Sequence, residues 1–252
     1  MTATHPTSVD YEFHEDSHDI RQIVTPFGLN ELPALLRQMY DTGAILAGGA
    51  AANLIYNIIH PEATHLLDPE SDLDFWVADP TPTPSHARRV YYTLVSASWD
   101  RFLEEAGYES YCPIRSTDPS GNTYTDDDEG GGFLSDSGIR LRVRYYQRTD
   151  PLQIANRRIQ LIFYDADPID TDPAATLVRQ FDLSICRCLL FTSAVNRRWI
   201  TRTYAAQDFW DRRIVVSNPT PSVRTQTRLL RYLSRYPTFT SDTFAEPPVT
   251  SG

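Results

Sequence analysis

Two rhythms of apolar residues run through the chain. Leu32, Leu35, Leu36 and Met39 recur at three- and four-residue spacings, which predicts a helix over residues 29–40 with Asn30 as N-cap and Gly43 as stop. A short apolar strand follows at 44–47, then the turn Gly48-Gly49 and a second helix at 50–59. Residues 60–70 read as a loop insertion. They lead into a strand at 71–77 that opens Ser71-Asp72-Leu73-Asp74 and continues through apolar Phe75, Trp76 and Val77. The prolines of 80–84 break the pattern, and a long helix over 85–106 carries Val90, Tyr91, Leu94, Trp99, Phe102 and Leu103 mostly on one side before Gly107 ends it. A further strand is expected at 108–115.

Period-two alternation returns at 139–147 (Ile139, Leu141, Val143, Tyr145) and 157–164 (Ile159, Leu161, Phe163), predicting a long antiparallel pair. Asp172-Pro173 starts a short helix, with proline at its first position. Residues 181–191 read as one buried strand carrying Cys186 and Cys188 on a shared face. Residues 201–210 read as a helix, 214–216 as a turn or strand, and 222–236 as a last helix. The first 23 residues and 241–252 read as polar tails. Residues 116–137, with the acidic and glycine-rich run 126–132, read as a flexible, solvated insertion, because the run lacks the ordered ligand spacing of a calcium loop. The elements add up to an α/β (α+β) fold. A mixed sheet flanked by helices occupies 24–192, and a small arginine-rich helical part occupies 193–240.

Composition changes this picture in three ways. A chain of 252 residues with 41% hydrophobic content can bury a sizeable core, and no apolar run approaches the roughly 20 residues of a membrane span. The polar, acidic N-terminus lacks the features of a signal peptide, and three cysteines without zinc spacing suit buried thiols of a reducing, intracellular compartment. All 23 basic residues are arginine, so any phosphate-binding or catalytic cation must be a guanidinium. Absence of lysine also fits selection against lysine modification, as in a virus-encoded or effector protein. The charge is uneven: residues 1–150 carry 10 Arg against 24 Asp and Glu, and residues 174–235 carry 11 Arg against 3 Asp. That asymmetry suits either a metal site beside a phosphate-binding surface or a solvated basic face. His14 and His18 stand four apart, but in a segment without apolar periodicity they read as solvated. All six histidines precede residue 88, and no hydrolase triad suggests itself.

The chemistry concentrates between residues 44 and 77. Alternation puts Asp72 and Asp74 on one strand face, where their repulsion calls for a cation, a basic partner or water. Gly48 and Gly49 let backbone N–H groups approach a ligand, with the positive end of the following helix pointing the same way. These are the parts a Mg²⁺–triphosphate site needs.

Gly-Gly on a strand–turn–helix followed by Asp-x-Asp resembles the polymerase-β-like nucleotidyltransferase superfamily. The resemblance implies a nucleotidyltransferase-like core in which Asp72 and Asp74 bind metal and Gly48 and Gly49 hold the triphosphate of an NTP. It also implies a third carboxylate from a neighbouring strand, where Arg157-Arg158-Ile159-Gln160-Leu161-Ile162 offers only Gln160. A neutral amide is no general base and a poorer Mg²⁺ ligand than a carboxylate. Asp182 in Phe181-Asp182-Leu183-Ser184 is the candidate replacement, as base or metal ligand; a salt bridge to Arg179 or Arg187 is the competing reading. The runs Ile-Gln-Leu-Ile and Phe-Asp-Leu-Ser, with the final arginine helix, resemble uncharacterised nucleotidyltransferase-like proteins of fungi and large DNA viruses.

The implied function is transfer of a nucleoside monophosphate from NTP to an unknown acceptor (protein, nucleic acid or small molecule), with Mg²⁺ or Mn²⁺ as cofactor and no membrane partner. Arg224, Arg228, Arg231 and Arg235 share a helix face. Arg228 and Arg231 are expected to neutralise phosphate charge, unless the acidic half of the chain pairs with them instead. The alternative function is a catalytically inactive protein of the same fold with a structural, regulatory or partner-binding role. An RNA- or DNA-binding module draws only on the arginine-rich end.

Overall fold

The computed structural model describes residues 8–67, 71–79, 85–111, 133–134, 140–148, 157–167, 169–193, 197–217 and 221–241. In chain order the strands are β1 (Val9–Phe13), β2 (Ile45–Ala47), β3 (Leu73–Asp79), β4 (Tyr108–Tyr111), β5 (Phe133–Leu134), β6 (Arg140–Arg148), β7 (Arg158–Asp165), β8 (Cys188–Ser193) and β9 (Arg198–Thr203). The α-helices are α1 (His18–Val24), α2 (Leu32–Thr42), α3 (Gly49–Ile59), α4 (Ser85–Glu105), α5 (Pro173–Arg179), α6 (Ala206–Trp210) and α7 (Val223–Arg235).

The strands form one mixed sheet in the order β1-β9-β8-β2-β3-β7-β6-β4, with β5 also pairing β6. Only β3 and β7 run parallel, and β6 with β7 forms the expected antiparallel pair. Local chemistry explains the ends of the helices. Gly43 and Gly107 take positive φ where α2 and α4 stop, a conformation that glycine adopts without strain. Asp172 accepts from Ala175 N at the start of α5, and Ser222 accepts from Thr225 N at the start of α7. At α2 the cap position is Glu31 rather than Asn30, and it makes no side-chain capping bond.

Alternation along β3 sends Leu73, Phe75 and Val77 into a core with α1, α2 and α4, where Phe75 stacks obliquely on Trp99. The opposite sheet face carries Trp76, Ile162, Tyr164 and Leu189 against α5. A third cluster joins α3 to α6 and α7 through Ile55, Tyr56, Cys186, Leu229, Tyr232 and Tyr236.

Three expectations need correction. Residues 201–210 are not one helix: β9 occupies the first part and pairs with β8 and β1, so the arginine-rich end contributes a strand to the main sheet. The inward positions of β9 are Trp199, Thr201 and Thr203, all buried, and the two threonines hide the apolar rhythm. Thr201 satisfies its hydroxyl by donating to Leu189 O. Residues 9–24 likewise form β1 and α1 rather than a tail, because the acids that made β1 look polar pair across the sheet. Arg202 donates to both oxygens of Asp10 and Arg198 to Glu12.

Residues 181–191 are not one strand either: a 3-10 turn at Ser184–Cys186 precedes β8, so Cys186 and Cys188 share no strand face. Both are buried free thiols. Residues 133–134, inside the expected insertion, pair with β6; the acidic run 126–132, the prolines 80–84, Cys112 and residues 242–252 lie outside the described residues. No helix among the described residues is long and apolar enough to cross a membrane.

Trp199 has no solvent exposure and donates its indole N–H to Glu15 O, tying β9 to the chain beyond β1. Trp199→Ala is expected to lose about 3–5 kcal/mol of stability in urea unfolding. A variant as stable as the parent would show that β9 does not hold this end of the chain to the core.

Candidate active site

The site grows from the middle of the sheet. β2 ends in Gly48, whose N–H donates to Cys188 O and whose φ of 80° with ψ of −135° is glycine-specific backbone. α3 starts at Gly49 with no side-chain cap, which leaves its first-turn N–H groups without a capping partner near the start of β3. A Cβ on Gly48 would stand 4.0 Å from Asp74 Oδ2 and 3.8 Å from the Phe181 ring. Gly48 and Asp74 therefore meet as expected. Gly49 faces another way: a Cβ there would lie 2.7 Å from the Tyr232 hydroxyl, so α7 packs tightly onto the turn.

Asp72 and Asp74 lie on one face at the start of β3. Asp74 pairs in register with Gln160 of parallel β7, so the neighbouring-strand position expected for a third carboxylate is indeed filled by an amide. Gln160 Nε2 donates to Asp72 Oδ2 at 2.9 Å, and Arg158 Nε donates to Asp72 Oδ1 at 3.1 Å. Asp74 has no such clasp. Its Oδ1 is enclosed and accepts no hydrogen bond from the described residues. Burial, and then the charge of Asp72, push its carboxyl up to about 7 against the opposing pull of Arg228, Arg224 and Arg158.

Asp182 lies beside the 3-10 turn. Its Oδ1 accepts from Leu183 N at 3.0 Å and Arg228 Nη1 at 2.7 Å, and its Oδ2 accepts from Thr225 Oγ1 at 2.8 Å. The ion pair is thus with Arg228, not with Arg179 or Arg187. These contacts suit Asp182 to holding α7; acting as proton acceptor or metal ligand would require it to give up the pair. Arg228 in turn feels the charges of both Asp182 and Asp74, which puts it between the tether and the carboxylate pair.

The four arginines of α7 are graded rather than equivalent. Arg228 is partly buried and paired, Arg235 donates to Ser71 Oγ at 3.0 Å, Arg224 is exposed yet acts on Asp74, and Arg231 is exposed. Arg158, Tyr232 and Phe181 also border the site. Arg158 was legible, since it stands two residues before Gln160 and so shares its face; the placement of Tyr232 depends on a helix contact that no spacing reveals.

The donor set fits one divalent cation arriving with phosphate oxygens. It offers two carboxylates, one with an unpartnered oxygen, and Mg²⁺ commonly takes one or two carboxylates plus substrate phosphates. It does not make a preformed cage: among the described residues no group of three or more His, Cys, Asp or Glu is placed to hold a metal.

The raised carboxyl has a consequence for stability. Because Asp74 binds its proton more tightly folded than unfolded, its contribution is most favourable at low pH and is lost as pH rises from about 4 through about 7. Asp74→Asn is expected to be more stable than the parent at pH 8, by about 2–4 kcal/mol, and indistinguishable from it near pH 4. Equal stability at pH 8 in chemical unfolding would show that Asp74 carries no such burden.

No protein-family model matches the chain, and no curated protein matches it in sequence. Among solved structures, a CCA-adding enzyme in complex with CTP superposes with a TM-score of 0.50 at 12% identity over 93% of this chain. A CCA-adding enzyme in an apo form gives 0.45 at 13% identity over 89% of this chain. The chain spans 44% and 43% of those proteins. At such identity the first likeness speaks to the fold alone, and the fold of this chain is accordingly nucleotidyltransferase-like: a mixed α/β sheet flanked by helices.

Proposed function

We propose that the protein binds a nucleoside triphosphate at the Gly48–Gly49 turn and transfers its nucleoside monophosphate to an acceptor hydroxyl in a Mg²⁺- or Mn²⁺-dependent reaction. The observation that carries the reading is the unclasped carboxylate of Asp74, 4.0 Å from the Cβ direction of Gly48 and beside Asp72, at the uncapped start of α3. The shared fold with a CCA-adding enzyme that was solved with CTP supports the same ligand class.

Asp72 and Asp74 would hold the divalent ion, which when bound supplies charge neutralisation at the phosphates. First-turn N–H groups of α3 would take phosphate oxygens. Arg224 and Arg231, the exposed members of their row, would attract the triphosphate or a polyanionic acceptor, while Arg228 stays paired with Asp182. In the reaction the acceptor oxygen bonds to the α-phosphorus and the α–β bridging P–O bond breaks. Pyrophosphate leaves with the electron pair, and the hydroxyl proton passes to water.

Gln160 favours a second reading, in which the site binds nucleotide without transfer and the protein serves a structural, regulatory or partner-binding role. Its amide sits opposite Asp74 where a carboxylate would strengthen the pull on a metal.

Binding of fluorescent NTP analogues in the presence of Mg²⁺ is expected to drop by at least tenfold in Asp72→Asn/Asp74→Asn; binding equal to the parent's would overturn the site. Release of pyrophosphate in the presence of a cell-extract acceptor fraction separates transfer from binding alone. The arginines should divide by role. Arg231→Glu is expected to weaken nucleotide binding several-fold at low ionic strength, with the difference shrinking as salt rises and the melting temperature unchanged. Arg228→Glu sets a like charge against Asp182 and should lower stability by about 1–3 kcal/mol. Unchanged affinity in Arg231→Glu would remove that residue from the ligand surface.

A further inference from the structure

We propose that Arg158 serves Asp72 as a built-in cation, leaving the carboxylate pair with room for one divalent ion and no second. The inference deepens the nucleotidyltransferase reading and rests on it for the ligand that accompanies the ion. Both oxygens of Asp72 are engaged in the protein as it stands, Oδ1 by the Arg158 guanidinium at 3.1 Å and Oδ2 by the Gln160 amide at 2.9 Å. The Arg158 side chain is half exposed, and besides Asp72 it feels the Tyr111 side chain of β4 electrostatically. Asp74, two residues on along the same face, is left unclasped with an enclosed, unpartnered Oδ1.

The two carboxylates are therefore unlike in what they offer. Asp74 offers an unpartnered oxygen; Asp72 is already paired with a guanidinium that cannot lose its proton. A second divalent ion would have to bind beside that guanidinium and take as its third ligand an amide whose NH₂ end is committed to Asp72. Like-charge repulsion and the missing carboxylate act in the same direction. A single ion on Asp74, sharing the remaining lone pairs of Asp72 and completed by phosphate oxygens, meets neither obstacle. The residue that limits the metal count is thus Arg158, with Gln160 as its companion.

Mn²⁺ titrated into the purified chain and followed by electron paramagnetic resonance tests this without any turnover. In the absence of nucleotide, Arg158→Gln is expected to bind Mn²⁺ at least tenfold more tightly than the parent, whereas Arg158→Lys, which keeps the charge, should stay within threefold of it. Equal affinity in parent and Arg158→Gln would overturn the proposal. With saturating α,β-methylene nucleoside triphosphates, the parent should take up one Mn²⁺ per chain and Arg158→Gln/Gln160→Asp two; two in the parent would overturn it as well. Failure of the parent to bind any of the analogues would instead overturn the nucleotide reading, and the nucleotide-free titration would still decide the role of Arg158.

Discussion

Two carboxylates one residue apart on a strand face, with one of them enclosed, cannot both stay charged unless positive charge is brought to them. That constraint accounts for much of what surrounds β3. Arg158 reaches across from the parallel neighbour β7, and Arg224 and Arg228 lean in from α7. Even so, the carboxyl of Asp74 is held near 7, so desolvation and repulsion outweigh three guanidinium groups. A protein selected for stability alone would replace such a residue with a neutral one. Its place beside a glycine turn and an uncapped helix start is what the proposed cation and phosphate site builds on.

The same bookkeeping explains the charge asymmetry of the chain. Much of the basic C-terminal half is used inside the fold: Arg202 on Asp10 and Asp172, Arg198 on Glu12, Arg212 on Glu62, Arg228 on Asp182. These are mostly half-exposed pairs, and each adds little by itself. Together they set the register of β1 on β9 and anchor α7. The basic row on α7 is accordingly a mixture, structural where it meets the turn and open to solvent at Arg231.

What could be read from the residues alone was the part governed by local rules. The strand–glycine–helix–strand unit, the period-two face of Asp72 and Asp74, the glycine stops and the Asp172 cap follow from spacing and backbone chemistry. The position of Gln160 beside β3 was expected from the family resemblance instead, since α4 and three strands separate β3 from β7 in the chain. What could not be read depended on partners distant in sequence. β1 and β9 look polar one by one and join the sheet through their mutual ion pairs and threonine hydroxyls. The turn at Ser184 breaks the expected strand because Ser184 N donates to Val215 O, a contact 31 residues away, and Asp182 just before it pairs with Arg228. Arg158 was visible as a residue, but its target was not.

Transfer and simple binding differ least at the glycine turn and most at Gln160. Both uses need first-turn N–H groups and an ion between carboxylate and phosphate, and both gain from exposed arginine. Transfer adds a demand that the charge developing on the acceptor oxygen be met by a cation close to it. In this chain Asp72 already has a guanidinium partner, Arg158 at 3.1 Å, before any ligand arrives. A fixed guanidinium needs no loading step and cannot be stripped by chelation, but it polarises an oxygen less than a divalent ion does. On the proposed transfer reading, such an arrangement would trade catalytic power for permanence: it would favour an acceptor oxygen that is already acidic or well positioned, and would leave nucleotide binding itself almost untouched.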